Sequence, residues 1–327
     1  MKASDAGSKV RIARVFVRII DDTVNFAVLV VLLLLLLFGC YSLWDSEQVY
    51  AAASPAQYEI YKPGDGNSLP LEELMEKNPD VLGWITVYGT GIDYPLVQGE
   101  DNWEYLDKAA DGSYNMTGSI FLDSKNKRDF SDYNTIIHGH NMAESAMFGD
   151  ISDYNDRKFF DEHIYGNLYA NGRDYGIVFF GYLTEDAYDS DIYASPYGSP
   201  ETQQEYLSLL ESRAIHLRQS RQHEAEHIVL LSTCGSGSTN ARDLLVGYLT
   251  EETYPDIFYA EKEQDVKSID RLAQWYEFRT LPLWLSLMLL LIALILMLIC
   301  FDRVSRSIRI KKAKKMYSTE KEGNEHD

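Results

Sequence analysis

The stretch Ile228-Val-Leu-Leu-Ser-Thr-Cys-Gly-Ser-Gly-Ser-Thr-Asn-Ala-Arg242 decides how the rest of the chain is read. Its first half is an apolar run of strand length that ends on Ser232, Thr233 and Cys234. Its second half is a loop of Gly, Ser and Asn that delivers Arg242 eight residues after the cysteine. Strands end at clefts, and the loops that leave them often carry chemistry. A lone thiol in that place has two readings. It is a small hydrophobe closing a buried strand, or a nucleophile served by a histidine from elsewhere in the chain. On this stretch alone both stay open.

Two segments outside this region have membrane-spanning length. Residues 24–44 read VNFAVLVVLLLLLLFGCYSLW and residues 281–301 read LPLWLSLMLLLIALILMLICF, each without a charge. Runs of about 20 apolar residues match the ~30 Å hydrocarbon core of a bilayer. The first is long for the apolar core of a signal peptide, and no small-x-small site follows closely, so it is expected to remain as an anchor. Five Lys or Arg residues, from Lys2 to Arg18, precede the first span, and a basic cluster from Arg303 to Lys315 follows the second. The positive-inside rule then places both tails, 1–23 and 302–327, in the cytoplasm and everything between the spans outside the cell. The expected order outside is a polar stalk over 45–67, a folded domain over 68–254 and a charged linker over 255–280.

Charge narrows the function classes. Of 30 Lys and Arg and 50 Asp and Glu, the two tails (1–23 and 301–327) hold thirteen and eight, so 17 basic and 42 acidic residues remain in 24–300. Such a field repels nucleic acid and excludes it as a partner. No cation loop of the EF-hand kind is present, and no cofactor is expected. Cys40 and Cys300 fall in the spans, which leaves Cys234 as the single outer thiol and no disulfide framework.

The folded region is mainly β. Short β-prone runs lie at 81–87, 92–97, 118–122, 134–138, 168–170, 175–183, 227–233 and 244–249, separated by Gly, Asn and Asp clusters. Asn171-Gly172 between two of them predicts a hairpin with a type I′ turn. Seven or eight such strands suggest a barrel or sandwich. Leu69 to Asn78, opened by Pro70 and stopped at Asn78-Pro79, predicts a short helix. Apolar residues at helical spacing predict an amphipathic helix inserted over Glu201–Gln219.

Among seven histidines, His138-Gly-His140 follows the apolar run Thr135-Ile-Ile137 and alternates onto one face. One reading is a zinc site completed by His163 or a nearby carboxylate, although no second cluster of ligands supports it. The other is an acid–base partner for Cys234, with the permanently charged Arg242 to hold a developing oxyanion and favour the thiolate.

At this point a family pattern emerges. The ordered set Gly83-Trp-Ile, Ile92-Asp-Tyr-Pro-Leu-Val-Gln98, Asp101-Asn102, Gly118-Ser-Ile-Phe-Leu-Asp123, Gly139-His-Asn-Met142, Met147-Phe148 and Leu231-Ser-Thr-Cys234 with Arg242 resembles the class B sortases. The resemblance implies a sortase-type eight-stranded β-barrel with a short N-terminal helix and an inserted helix, here flanked by two transmembrane helices. It implies a membrane-anchored cysteine transpeptidase of Gram-positive cell surfaces. Such an enzyme cleaves a C-terminal sorting motif of surface proteins through a thioester and passes the acyl group to a cell-wall or pilin amine. Carried over by motif, Cys234 is the nucleophile, His140 the histidine and Arg242 the arginine, with Asn102 and Thr233 in supporting places. His138 departs from the pattern, because family members more often carry Tyr there. Two rival readings remain: a surface peptidase that hydrolyses its acyl-enzyme, and a non-catalytic scaffold.

Overall fold

The computed structural model of the chain describes residues 3–64, 68–194, 198–235 and 239–259, together with 285, 287–289, 291, 292 and 295. It divides into two units, Met1–Glu47 with Leu272–Asp327, and Gln48–Arg271. Most of the first unit that is described belongs to one helix, α1 (Ala3–Ala53). Its apolar window has a mean hydropathy of 2.8 and is 6% buried, so this helix is long and apolar enough to cross a membrane. The second expected span, 281–301, lies for the most part outside the described residues.

The stretch expected to be a stalk is a correction. Helix α1 continues to Ala53, and a 3-10 turn over Pro55–Tyr61 follows at once. The reason is that the last carbonyls of a helix need outside donors, and this unit supplies them. Ala52 O accepts from Asn115 Nδ2 at 2.9 Å and Gln57 Nε2 at 2.7 Å, and Ala53 O accepts from Tyr94 OH at 2.8 Å. Ala53 and Tyr58 are buried in the core of the second unit.

That core is a barrel. Its strands are β1 (Val81–Val87), β2 (Asp93–Val97), β3 (Ile120–Leu122), β4 (Asn134–His138), β5 (Tyr165–Ala170), β6 (Arg173–Asp186), β7 (His216–Leu217), β8 (Ile228–Cys234) and β9 (Ala241–Thr250). The order β5-β1-β2-β3-β4-β8-β9-β6, with β6 returning to β5, closes eight of them into a ring. The two-residue β7 is an addition on the outside of β6. Each of the eight ring strands grows from one of the β-prone runs. The hairpin between β5 and β6 turns on Asn171 and Gly172 with φ of 53° and 76°, the left-handed pair that a type I′ turn requires.

Alternation sends Ile137, Leu231 and Leu245 to the inner core and Ile136, Leu230, Leu244 and Val246 to an outer layer. Helix α4 (Pro200–Arg213) covers that layer with Tyr206, Leu207 and Leu210. Burying each such leucine contributes about 1.5–3 kcal/mol. The helix opens on a Ser199/Thr202 capping box, and it stops at Arg213, six residues short of the expected end. From Ile215 the chain finds main-chain partners on β6 instead, with Ile215 N donating to Tyr182 O at 2.8 Å and Arg218 N to Phe180 O at 2.7 Å. Helix α2 (Leu69–Lys77) packs Leu71 and Leu74 inward, and α3 (Arg157–Glu162) precedes β5.

Strand β1 sits between β2 and β5, and Gly83 faces β5 so closely that a Cβ there would lie 2.4 Å from Tyr169 O. A main-chain oxygen inside a ring cannot step aside. Gly83→Ala is therefore expected to destabilise the domain by about 1–3 kcal/mol, as overpacking does. The midpoint of chemical unfolding checks this; an unchanged midpoint contradicts it.

Candidate active site

Three strand ends meet at one edge of the barrel. β4 and β8 are parallel, with His138 in register with Ser232, so both chains leave the sheet in the same direction. β9 runs back antiparallel to β8, and Arg242 is the register partner of Cys234. Directly opposed residues in a ladder share a face. Cys234 and Arg242 therefore project on the same side as Ser232 and Leu244, over the outer layer that α4 covers farther down. Cys234 is exposed and free.

His140 lies two residues past β4, and Gly139 is what lets the chain leave there. A Cβ on Gly139 would come within 2.6 Å of Ile120 and 2.8 Å of Phe148. His140 is half-buried, and its Nε2 donates to Leu106 O at 2.9 Å. A carbonyl only accepts, so Nε2 carries the proton in the neutral ring and Nδ1 is the basic nitrogen.

Arg242 is half-buried, and its Nη1 donates to Ala241 O at 2.9 Å. Among the described residues it makes no ion pair. Its register partner on β6 is Glu185, but Arg213 from the last turn of α4 takes that carboxylate at 3.2 Å and also binds Asp189. The guanidinium beside Cys234 is thus left with charge to offer. Gly235 N–H is committed to Ala241 O at 2.8 Å, so the main-chain donor just after the cysteine is occupied.

The remaining sequence candidates fall in different places. Thr233 is buried on the inner face, where its hydroxyl donates to Gly139 O at 2.9 Å and holds the exit of β4 against β8. Asn102 belongs to the His138 side. Its amide donates to Asp123 Oδ2 at 2.7 Å, His138 Nε2 donates to the same oxygen at 3.0 Å, and Asn102 Oδ1 accepts from Ser124 N at 2.7 Å. His163, the third ligand of the zinc reading, is packed between Phe159 and Phe258 with its Nδ1 donating to Phe159 O at 2.9 Å. The two histidines of the His-x-His pair are likewise turned to separate partners.

Sequence reasoning missed Tyr193. Its hydroxyl meets Ser232 Oγ at 2.8 Å, and its ring stacks on His138 with centroids 6.2 Å apart. Burial pushes this hydroxyl up to about 12, while the Ser232 bond and the Arg242 charge pull it down and Cys234 raises it. It therefore lies within the fields of both. Nothing in the tyrosine-rich segment 182–197 singled it out. A cavity of about 620 Å³, bounded by Phe130, Tyr175, Tyr248 and Tyr254, lies at the opposite ends of β8 and β9. It holds none of the candidate residues, and its Arg173 and Arg221 are paired with Glu251 and Glu224.

Comparison with known proteins places the barrel. No family model matches the chain. Sortase B of Listeria monocytogenes is 32% identical over 166 residues, which is 50% of this chain and 66% of that protein, just under two thirds. The structure of Clostridium perfringens sortase B is 34% identical with a TM-score of 0.51, covering 55% of this chain and 98% of that one. A Streptococcus pyogenes class B sortase involved in pilus biogenesis is 33% identical with a TM-score of 0.50, covering 55% and 97%. The fold is that of the sortases, a family of cysteine transpeptidases. The chain belongs to their class B.

Burial works to raise the Asp123 carboxyl, but hydrogen bonds from His138, the Lys125 main chain and Asn102 outweigh it and hold the group below the usual carboxylate range. A carboxyl depressed in the folded state stabilises above its unfolded pKa, and that contribution is lost as pH falls through the folded value. Asp123→Asn is expected to be less stable than the parent at neutral pH, with the gap closing on acidification below that range. Urea midpoints of both chains against pH check this. A gap that widens on acidification contradicts it.

Proposed function

We propose that this chain is a membrane-anchored sortase, acting as a cysteine transpeptidase on the C-terminal sorting motif of surface proteins. The observation that carries the reading is the register that sets Cys234 opposite Arg242, which makes no ion pair among the described residues, with His140 delivered by the parallel neighbour of the same strand. The apolar part of α1 serves as the anchor. The apolar run 281–301 and its basic flank serve as a second span, giving a two-pass topology with both termini cytoplasmic and the barrel outside.

The chemistry runs in two halves. The Cys234 thiolate attacks the carbonyl of a threonine-like residue, and the carbonyl π electrons move to oxygen. Arg242 holds that oxyanion, with other donors left to the substrate complex because Gly235 N–H is already engaged. Protonated His140 gives its Nδ1 proton to the departing amine, the C–N bond breaks, and a thioester remains. An incoming amine, from a cell-wall precursor or a pilin lysine, then attacks the thioester. His140 takes its proton, and the C–S bond breaks to regenerate the thiolate beside a protonated His140. Because the outside is aqueous, transfer in place of hydrolysis requires that the cleft orient the amine better than water.

The test uses the full chain in detergent micelles, motif peptides, and amine acceptors of both classes. Intact-mass spectrometry is expected to show an acyl adduct on Cys234 and a ligated product that depends on the amine. Cys234→Ala is expected to give neither. Arg242→Ala is expected to lower turnover by about 10²–10³-fold, the loss typical of an oxyanion donor, and His140→Ala by about 10²–10⁴-fold. Hydrolysed product at the same rate with and without amine would make the protein a peptidase. Absence of any adduct on folded protein would leave the scaffold reading.

A further inference from the structure

Strands β4 and β8 share their last main-chain rung where Gly139 N donates to Ser232 O at 3.2 Å. In a parallel ladder the next acceptor along that edge of β8 is two residues on, the carbonyl of Cys234. The backbone after Gly139 has turned away and does not reach it. His140 O accepts from Phe148 N at 2.9 Å, and Asn141 forms a bridge with Met147. The missing rung is made by a side chain. Asn141 Nδ2 donates to Cys234 O at 2.6 Å and, with its second proton, to Ser152 Oγ at 2.9 Å. Ser152 then donates to Asp243 Oδ2 at 2.8 Å, and the other oxygen of Asp243 accepts from Thr184 Oγ1 at 3.0 Å. Asp243 is 5% exposed. Gly235 lies close against it, because a Cβ there would be 3.0 Å from Oδ1.

The members of this chain stand in a pattern. Asn141 follows His140, Asp243 follows Arg242, and the Asn141 amide grips the carbonyl of Cys234 itself. Two of the donations run in sequence, amide to hydroxyl to carboxylate, an arrangement in which one bond polarises the next. We propose that Asn141, Ser152 and Asp243 form a clasp that sets the positions of His140, Cys234 and Arg242 relative to one another. Asn141 is its central positioning residue. It touches no reacting atom. It acts by holding the chain that carries the histidine to the residue that carries the thiol. The proposal rests on the catalytic assignment above, and its test separates the two.

The full chain in detergent micelles is compared with Asn141→Ala, Asn141→Asp (same size, no donor), Ser152→Ala and Ser152→Thr. For transfer from motif peptide to amine, kcat is expected to fall about 10–100-fold in the first three, because a displacement near 1 Å suffices for such a loss. KM for the peptide is expected to stay within about twofold, and Ser152→Thr, which keeps the hydroxyl, to retain most activity. In a His140→Ala background Asn141→Ala is expected to cost less than about twofold more, since residues acting as a unit are not additive. A second readout needs no turnover: the alkylation rate of Cys234 against pH, followed by peptide mapping so that Cys40 and Cys300 do not interfere. Its profile is expected to shift in Asn141→Ala, as the histidine moves relative to the thiol. A kcat close to the parent's overturns the clasp, as does an equal loss in the His140→Ala background. If the parent itself forms no product, the enzyme reading fails and the alkylation arm still decides. Superimposable profiles of parent and Asn141→Ala then overturn the clasp as well.

Discussion

The parallel pairing of β4 with β8 is the constraint on which the rest depends. Parallel neighbours need a long crossover, and here the connection contains β5, β6, α4 and β7. What that length secures is direction. Both strands run toward the same edge, so a histidine just past one and a cysteine at the end of the other emerge together. Had β4 run the other way, His140 would stand at the far end of β8, about 20 Å off at ~3.3 Å per residue. β9 then turns back by the shortest route and brings Arg242 to the same place.

The second organising influence is the disposal of charge. In a domain with so large an acidic excess, a surface arginine is readily neutralised, and Arg242 has Glu185 beside it on β6. Arg213 prevents that neutralisation. Placed at the end of α4, it engages both Glu185 and Asp189, so the inserted helix covers the outer layer and also draws negative charge from the cleft. On the other flank Asp123 is satisfied by His138, Asn102 and the Lys125 main chain. The polar residues around Cys234 thus divide into closed groups. The guanidinium of Arg242 is left outside them.

Much of this was legible in the sequence. The eight ring strands coincide with alternating or apolar runs bounded by turn residues, and all but the three-residue β3 and the short run behind β5 are long enough to show their period. The Asn171-Gly172 turn was legible because only a few residue pairs accept φ > 0 twice. Cys234, His140 and Arg242, the residues of the proposed site, stand out in the sequence because motif spacing survives folding. Pairing could not be read, since alternation says which face a residue takes and not which strand lies beside it. Asn102, a supporting residue only by motif, donates to the Asp123 oxygen that also accepts from His138, a neighbourhood that alternation does not show. The end of α4 is not legible, because Ala214, Ile215 and Leu217 keep helical spacing while the outer edge of β6, which binds Ile215 and Arg218, decides their conformation. The helical course of 45–53 is hidden for a related reason. The donors that extend α1 to Ala53 come from Tyr94 and Asn115, far along the chain.

The closed ring has one more implication. An open sheet offers a row of unpaired main-chain groups that any extended peptide can join, whatever its side chains. Eight strands sealed on themselves, with only the two-residue β7 added outside, leave no such row of useful length among the described residues. A peptide arriving at the mouth between β4, β8 and β9 must be recognised through its side chains and its scissile carbonyl. On the proposed function, selectivity for a short motif would begin with the barrel's closure before any individual residue of the cleft contributes to it.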